Sequence, residues 1–204
     1  MIEAIRDVLL APRCAGCGDP GTWFCTTCRD SCEPVTHRGA LALRGAGAYA
    51  GPLREAVRAL KYRGEPALAS DLGALVALEL ARDLAAGVRV DVVVPVPLHP
   101  ARRLARGYDQ AALLAEAVAR RVDLPLRRPL RRIRASTPQV QLDRAARLRN
   151  VRKAFVAEAR SLRGLAVALV DDVATTGATL ADAAAAARAA GARSVRAYVV
   201  AVDE

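Results

Sequence analysis

The residues best equipped for chemistry stand together late in the chain. Val167-Ala168-Leu169-Val170 runs into Asp171-Asp172, and Val173-Ala174-Thr175-Thr176-Gly177-Ala178-Thr179-Leu180 follows. An apolar strand that delivers two carboxylates into a small-residue loop, with a helix opening after it, puts polar groups where ligands of α/β sheets bind. The free N–H groups and positive dipole end of that helix suit an anion. Thr175, Thr176 and Thr179 add hydroxyl donors, and Asp171 and Asp172 suit ribose hydroxyls or a magnesium ion beside them. Asp and Thr also precede helices as ordinary caps. Two adjacent Asp followed by Thr-Thr-Gly is richer than a cap requires.

A second cluster lies near the start. All five cysteines fall between 14 and 32, and Cys14-x2-Cys17 is separated by seven residues from Cys25-x2-Cys28. A C-x2-C turn brings two thiolates to one side, and two such turns complete a tetrahedron for zinc. Four thiolates close the shell, so such a zinc is structural. Two disulfides are the rival reading, disfavoured by the absence of a secretion pattern in residues 1–13, where Glu3, Arg6 and Asp7 interrupt the apolar residues. Cys32 is left over as a small packing residue or a substitute ligand; His37 is a further candidate ligand, though a lone His in a linker reads more simply as structural or solvated.

The third feature is charge. The chain of 204 residues carries 31 Lys and Arg against 21 Asp and Glu, a formal charge of +10. An anionic partner is one explanation, whether nucleic acid, phosphate or an acidic protein. A GC-rich coding bias toward Ala and Arg is the other. One Trp, four Tyr and two Phe argue against a surface that stacks many bases. The 53% hydrophobic content excludes a disordered chain, and no charge-free stretch is long enough to span a membrane. The expected location is cytoplasmic.

These residues need elements to position them. The cysteine cluster suggests a small module over residues 1–40, beginning with a helix from Ile2 to Leu10, and a main body over 41–204. In the body, strands are expected at Ala46–Ala50, Val90–Val96, Ala154–Ala157, Leu165–Val170 and Ser194–Val202. Helices are expected at Pro52–Tyr62, Leu68–Leu84, Tyr108–Val122 and Thr179–Ala190, the last ending at Gly191. Residues 142–151 read as an Arg-rich helix or loop. Alternating strands and helices imply an α/β fold whose mainly parallel sheet is flanked by helices.

With the elements in place, the segment from 167 to 180 resembles the phosphoribosyl pyrophosphate (PRPP) motif of type I phosphoribosyltransferases. The rest of the chain narrows the resemblance. Val94-Pro95-Val96-Pro97-Leu98-His99 leads into Arg102, Arg103 and Arg106-Gly107-Tyr108-Asp109-Gln110. Gln139-Val140-Gln141-Leu142 and Arg147-x2-Asn150-Val151-x3-Phe155 follow. With Lys61-Tyr62 and the four cysteines, nearly the whole chain resembles the ComF family of competence-associated, phosphoribosyltransferase-like proteins. One departure is Asp109, which stands where the family pattern has Asn.

The resemblance implies a type I phosphoribosyltransferase-like domain and a zinc-ribbon-like module. It assigns PRPP to Asp171, Asp172, Ala174, Thr175, Thr176, Gly177 and Thr179. The pyrophosphate side falls to Lys61, His99, Arg102, Arg103 and Arg106, because guanidinium groups on a mobile flap match pyrophosphate bidentately. A solvated surface is the plainer reading of the arginines, and no general base is identifiable. Two functions follow. One is a magnesium-dependent transfer of the phosphoribosyl group to a nitrogenous base. The other is a non-catalytic sensor of PRPP or nucleotide that works in DNA uptake and binds single-stranded DNA. Candidate partners are that DNA, a competence helicase and a second copy of the chain. A zinc-ribbon transcription factor fits least.

Overall fold

A computed structural model of the chain describes residues 12–38, 40–133 and 154–203. The helix expected from Ile2 to Leu10 lies outside the described residues. So do Gln139, Gln141, Arg147 and Asn150.

The described chain runs α1 (Thr26–Asp30), β1 (Val35–Arg38), β2 (Ala42–Ala48), α2 (Gly51–Tyr62), α3 (Leu68–Ala85), β3 (Val92–Pro95) and α4 (Pro100–Arg106). It continues through α5 (Gln110–Val122), β4 (Leu130–Arg132), β5 (Phe155–Ala157), β6 (Ala166–Ala174), α6 (Ala178–Ala189) and β7 (Ser194–Val202). The main sheet has five strands in the order β1-β2-β7-β6-β3, and β4 and β5 form a separate hairpin. Strands β2, β7, β6 and β3 are parallel, while β1 pairs antiparallel to β2 at the edge. The sheet is therefore the expected mainly parallel α/β sheet. Its central strands are continuous apolar runs because helices cover both faces: the first five residues of β6, Ala166 to Val170, are all buried.

One face carries α2, α3 and α5. Helix α2 buries Leu53, Ala56, Val57 and Leu60, a stripe at helical spacing. Cys14, Phe24 and Cys28 belong to this same core. The cysteine segment thus packs on the body, and β1, which precedes position 40, pairs with β2, which follows it. The other face is covered by α6 and by β4–β5, through Leu180, Ala183, Ala184, Leu130 and Phe155.

Charged residues also tie the sheet to α3. Asp83 and Glu79 are both buried. Arg44 of β2 donates to Asp83 at 2.6 Å, and the Tyr198 hydroxyl of β7 donates to its other oxygen at 2.9 Å. Arg82 pairs with Glu79. Burial raises the Glu79 carboxyl, opposed by Arg82 and Arg44. The network holds α3 across β2 and β7, with its charges matched rather than stranded.

Differences from the sequence expectations have simple causes. β6 continues past Val170 to Ala174 because β7 stays paired with it as far as Ala174 and Val202. The basic stretch expected as a flap forms α4. His99 caps it, with Nδ1 accepting from the Ala101 N–H at 3.3 Å, and Gly107 ends it in the left-handed region. β1 and β4 have four and three residues, too short to show a period in sequence.

Candidate functional site

The two neighbouring carboxylates are built into the carboxyl end of β6 and face different surroundings, because successive strand residues alternate. Asp172 is 4% exposed. Its Oδ1 meets the Lys61 ammonium at 2.8 Å, and its Oδ2 accepts from Gln110 Nε2 at 2.8 Å. Lys61 arrives on the last turn of α2, and Gln110 on the first turn of α5. Asp171 is only partly buried, and its Oδ1 accepts the Asp172 N–H at 2.8 Å. The structure thus divides the pair into one locked carboxylate and one presented carboxylate.

The electrostatics follow. Burial and then the neighbouring Asp172 push the Asp171 carboxyl up to about 8. For Lys61, burial alone would lower the pKa, but Asp172, with a contribution from Asp171, outweighs it and the net direction is upward. The ammonium stays charged at neutral pH, so Asp172 keeps its counter-ion.

Beyond Ala174 the chain turns through Thr175 and Thr176, both exposed, into Gly177 at φ 70°. That left-handed conformation is what glycine supplies here. A β-carbon at Gly177 would meet nothing within 4 Å, so conformation rather than crowding requires the glycine. Gly177 is the N-cap of the twelve-residue α6. The loop is therefore the exposed, glycine-opened helix start that anions occupy in other α/β sheets. Beside it lies a groove of about 690 Å³, lined by Thr175, Thr176 and Gly177, by Val202 at the end of β7 and Asp203 after it, and by His37, Leu41 and Leu43 of the edge hairpin. That volume is in the range of small-ligand sites.

The structure brings some of the expected residues together and leaves others apart. Lys61, Asp171, Asp172 and the 174–179 loop gather at the end of β6. Arg102 and Arg103 are exposed on α4. Arg106 stacks over the Tyr62 ring at 5.4 Å from its centroid, and its Nη1 is buried without a hydrogen-bond partner. Asp109 caps α5 by accepting from the Ala112 N–H at 3.2 Å and holds the β3–α4 loop by accepting from the Leu98 N–H at 3.3 Å. The two contacts use both carboxylate oxygens, Oδ2 for Leu98 and Oδ1 for Ala112, whereas an amide, with one acceptor oxygen, would serve one of them in this geometry.

Two site residues went unassigned in the sequence reading. Gln110 was visible there only as part of a motif. Arg132 on β4 stacks on Phe155 at 5.2 Å. Burial, then Arg102, lowers its pKa, while Asp171 and Asp182 oppose. It therefore lies within electrostatic reach of both the flap and Asp171, a proximity that no local pattern announces.

The cysteines form the second site. The Sγ atoms of Cys14, Cys17, Cys25 and Cys28 all lie within 4.8 Å of one another. Cys14 to Cys28 is 3.7 Å and Cys17 to Cys25 is 3.6 Å. Sulfurs at about 2.3 Å from a central zinc stand about 3.8 Å apart in a tetrahedron, whereas disulfide sulfurs stand about 2.05 Å apart. All five cysteines are free. The cluster fits a metal ion such as zinc. Burial opposes ionisation of Cys14, but N–H donors from Cys25, Cys17 and Gly16 bring its thiol down to about 6. Cys32 stands apart, with its Sγ donating to the Cys28 carbonyl at 3.3 Å. Among the described residues no other group of three or more His, Cys, Asp or Glu is placed to hold a metal, and no helix is long and apolar enough to cross a membrane.

No protein-family model matches the chain. Among solved structures, the chain resembles glutamine PRPP amidotransferase from B. subtilis complexed with ADP and GMP. The identity is 26%, the TM-score 0.43, and 63% of this chain is covered. The chain spans 25% of that solved chain. Among curated proteins, it is 29% identical over 175 residues to Competence protein F of Haemophilus influenzae, covering 83% of this chain and 75% of that protein. It is 32% identical over 175 residues to the DNA utilization protein YhgH of Escherichia coli K12, covering 83% of this chain and 74% of the relative. With that identity over most of both chains, the chain belongs to the ComF family.

Proposed function

We propose that the chain binds a phosphoribosyl ligand, PRPP or a nucleotide, at the end of β6 and serves in DNA uptake. One observation carries the reading: a left-handed glycine opens a full-length helix directly after a strand that presents Asp171 and locks Asp172. In this reading the N–H groups and hydroxyls of Ala174, Thr175, Thr176, Gly177 and Thr179 hold the 5′-phosphate. Asp171 meets the ribose or its magnesium. The groove beside the loop takes the base. Arg106, with an unmatched Nη1, and the exposed Arg102 and Arg103 serve the pyrophosphate, with Lys61 and His99 behind them. Zinc fills the four-cysteine cluster as a structural ion. The names of the relatives support the cellular role, and the +10 charge supports an anionic partner such as single-stranded DNA.

If the chain is a transferase, the bond from ribose C1 to pyrophosphate breaks as a base nitrogen forms its own bond to C1. Magnesium, when bound, neutralises the departing pyrophosphate. The arginines do the same from the protein side, where charge grows in the transition state. Binding without turnover is the second reading. It is favoured by Lys61, whose charge is already matched by Asp172, and by Arg102 and Arg103, which point to solvent-exposed surface.

Calorimetry with PRPP, with and without magnesium, tests the binding. A pyrophosphate-release screen over purines, pyrimidines and pyridine bases separates the two readings. Gly177→Val, which cannot hold φ 70° without strain, is expected to abolish PRPP binding. Undiminished affinity in that variant overturns the site. Release above the no-enzyme rate supports the transferase, and binding without release supports the sensor.

A further inference from the structure

Gln110 is 4% exposed, and its amide has one satisfied end and one orphan. Nε2 donates to Asp172 Oδ2 at 2.8 Å. Oε1 is buried with no hydrogen-bond partner. The amide cannot be turned to relieve this, because turning it would set Oε1 against the Asp172 carboxylate. Asp172 is itself anchored by Lys61. The orientation is therefore forced by charge, and the orphan atom is an acceptor.

A buried acceptor without a donor costs about 1–3 kcal/mol and calls for a physical explanation, of which a bound partner is one. The identity of the orphan selects that partner. Phosphate and pyrophosphate groups are mostly ionised at neutral pH and offer chiefly acceptors. A sugar hydroxyl offers a donor. Gln110 also sits on the turn from Arg106 to Gln110, whose other end carries the second orphan, the donor Arg106 Nη1. One turn thus offers a donor suited to an anion and an acceptor suited to a hydroxyl.

We propose that Gln110 reads a ribose hydroxyl, so that the site accepts ribose phosphates and discriminates against deoxyribose phosphates. This rests on the phosphoribosyl reading of the β6 loop. It carries the consequence that DNA does not occupy this site, and that any contact with DNA lies elsewhere on the chain. Gln110 is a specificity residue here, with Lys61 and Asp172 as the groups that position it.

The test is calorimetry of the full chain with ribose 5-phosphate, 2-deoxyribose 5-phosphate and 3-deoxyribose 5-phosphate, in chelator and again with magnesium. The expected result is that one deoxy sugar binds at least about fivefold more weakly than ribose 5-phosphate in chelator, the effect of one buried acceptor left unpaired. In Gln110→Met, of similar shape but with no acceptor, that ratio should fall below about two. A merely structural role would weaken all three sugars alike and leave the ratio unmoved. Gln110→Asn, which withdraws the acceptor by one methylene, should give the same collapse of the ratio if the Met variant does not fold. Three sugars bound equally by the wild type would overturn the proposal and leave the phosphate loop standing. A ratio that persists in both variants would overturn it in favour of Asp171. A ratio seen only with magnesium would overturn it in favour of a metal-bound water as the donor. If neither the sugars nor PRPP bind the wild type, the phosphoribosyl reading itself fails, and this inference falls with it.

Discussion

Replacing Lys61 by Met removes the counter-ion of the most deeply placed carboxylate in the site. Lys61 and Asp172 have side chains 17% and 6% exposed and meet at 2.8 Å. After Lys61→Met, Asp172 keeps only the Gln110 donor. Removing one partner of a buried pair costs about 3–5 kcal/mol, since the remaining charge is left uncompensated. The partial exposure of Lys61 places the expectation at the lower end, about 3 kcal/mol. For a chain of this size each kcal/mol moves the melting temperature by about 2–4 °C, so the drop should be about 6–12 °C. Adding Asp172→Asn removes the stranded charge and should restore about 2 of those 3 kcal/mol, leaving the double variant about 1 kcal/mol below the wild type. Lys61 is held above its ordinary value despite burial, chiefly by Asp172. A raised lysine contributes stability that is complete below the unfolded value of 10.5 and is lost as pH rises through the folded one. Melting at pH 7 therefore reads the full effect. A drop of less than about 2 °C, or a double variant no more stable than Lys61→Met alone, would refute the claim that the pair holds α2 to the end of β6.

The remaining expectations concern pH, packing and metal. Asp171 is pushed from 3.8 up to about 8 by burial and then by Asp172, so between those values the folded chain keeps a proton that the unfolded chain releases. Stability should then fall as pH rises across that window. Asp171→Asn should flatten the slope of melting temperature against pH, and an unchanged slope would count against the assignment. A β-carbon at Gly16 would stand 2.7 Å from Pro52 Cβ and 2.8 Å from Cys28 Sγ. Gly16→Ala should therefore cost about 1–3 kcal/mol in urea unfolding, because the cysteine turn and α2 must part. Tyr198→Phe deletes the 2.9 Å hydrogen bond to buried Asp83 and should cost about 1–2 kcal/mol by the same measurement. Protein purified without added metal should carry about one zinc per chain by elemental analysis, and Cys28→Ser should lose it; a metal-free wild type would overturn the zinc assignment.

Contiguous features were legible from the amino-acid order. The loop from Asp171 to Thr179 shows itself because strand, carboxylates, threonines, glycine and helix follow one another without a break. The two C-x2-C turns show a metal cluster because the chemistry needs only local spacing. The apolar runs at 90–96 and 165–170 announce buried parallel strands because both faces of such a strand are covered. Local order cannot show which carboxylate is presented, since Asp171 and Asp172 are chemically alike. Their difference arises when β6 alternates its side chains and when α2 and α5 bring Lys61 and Gln110 to the same oxygen pair. The same holds for Asp83, which reads as one more helix-surface acid until β2 and β7 bring Arg44 and Tyr198 against it. Composition and spacing determined the kinds of groups present. Tertiary packing decided which of them are neutralised and which are left to meet a ligand, because burial and charge pairing are properties of residues far apart in the chain.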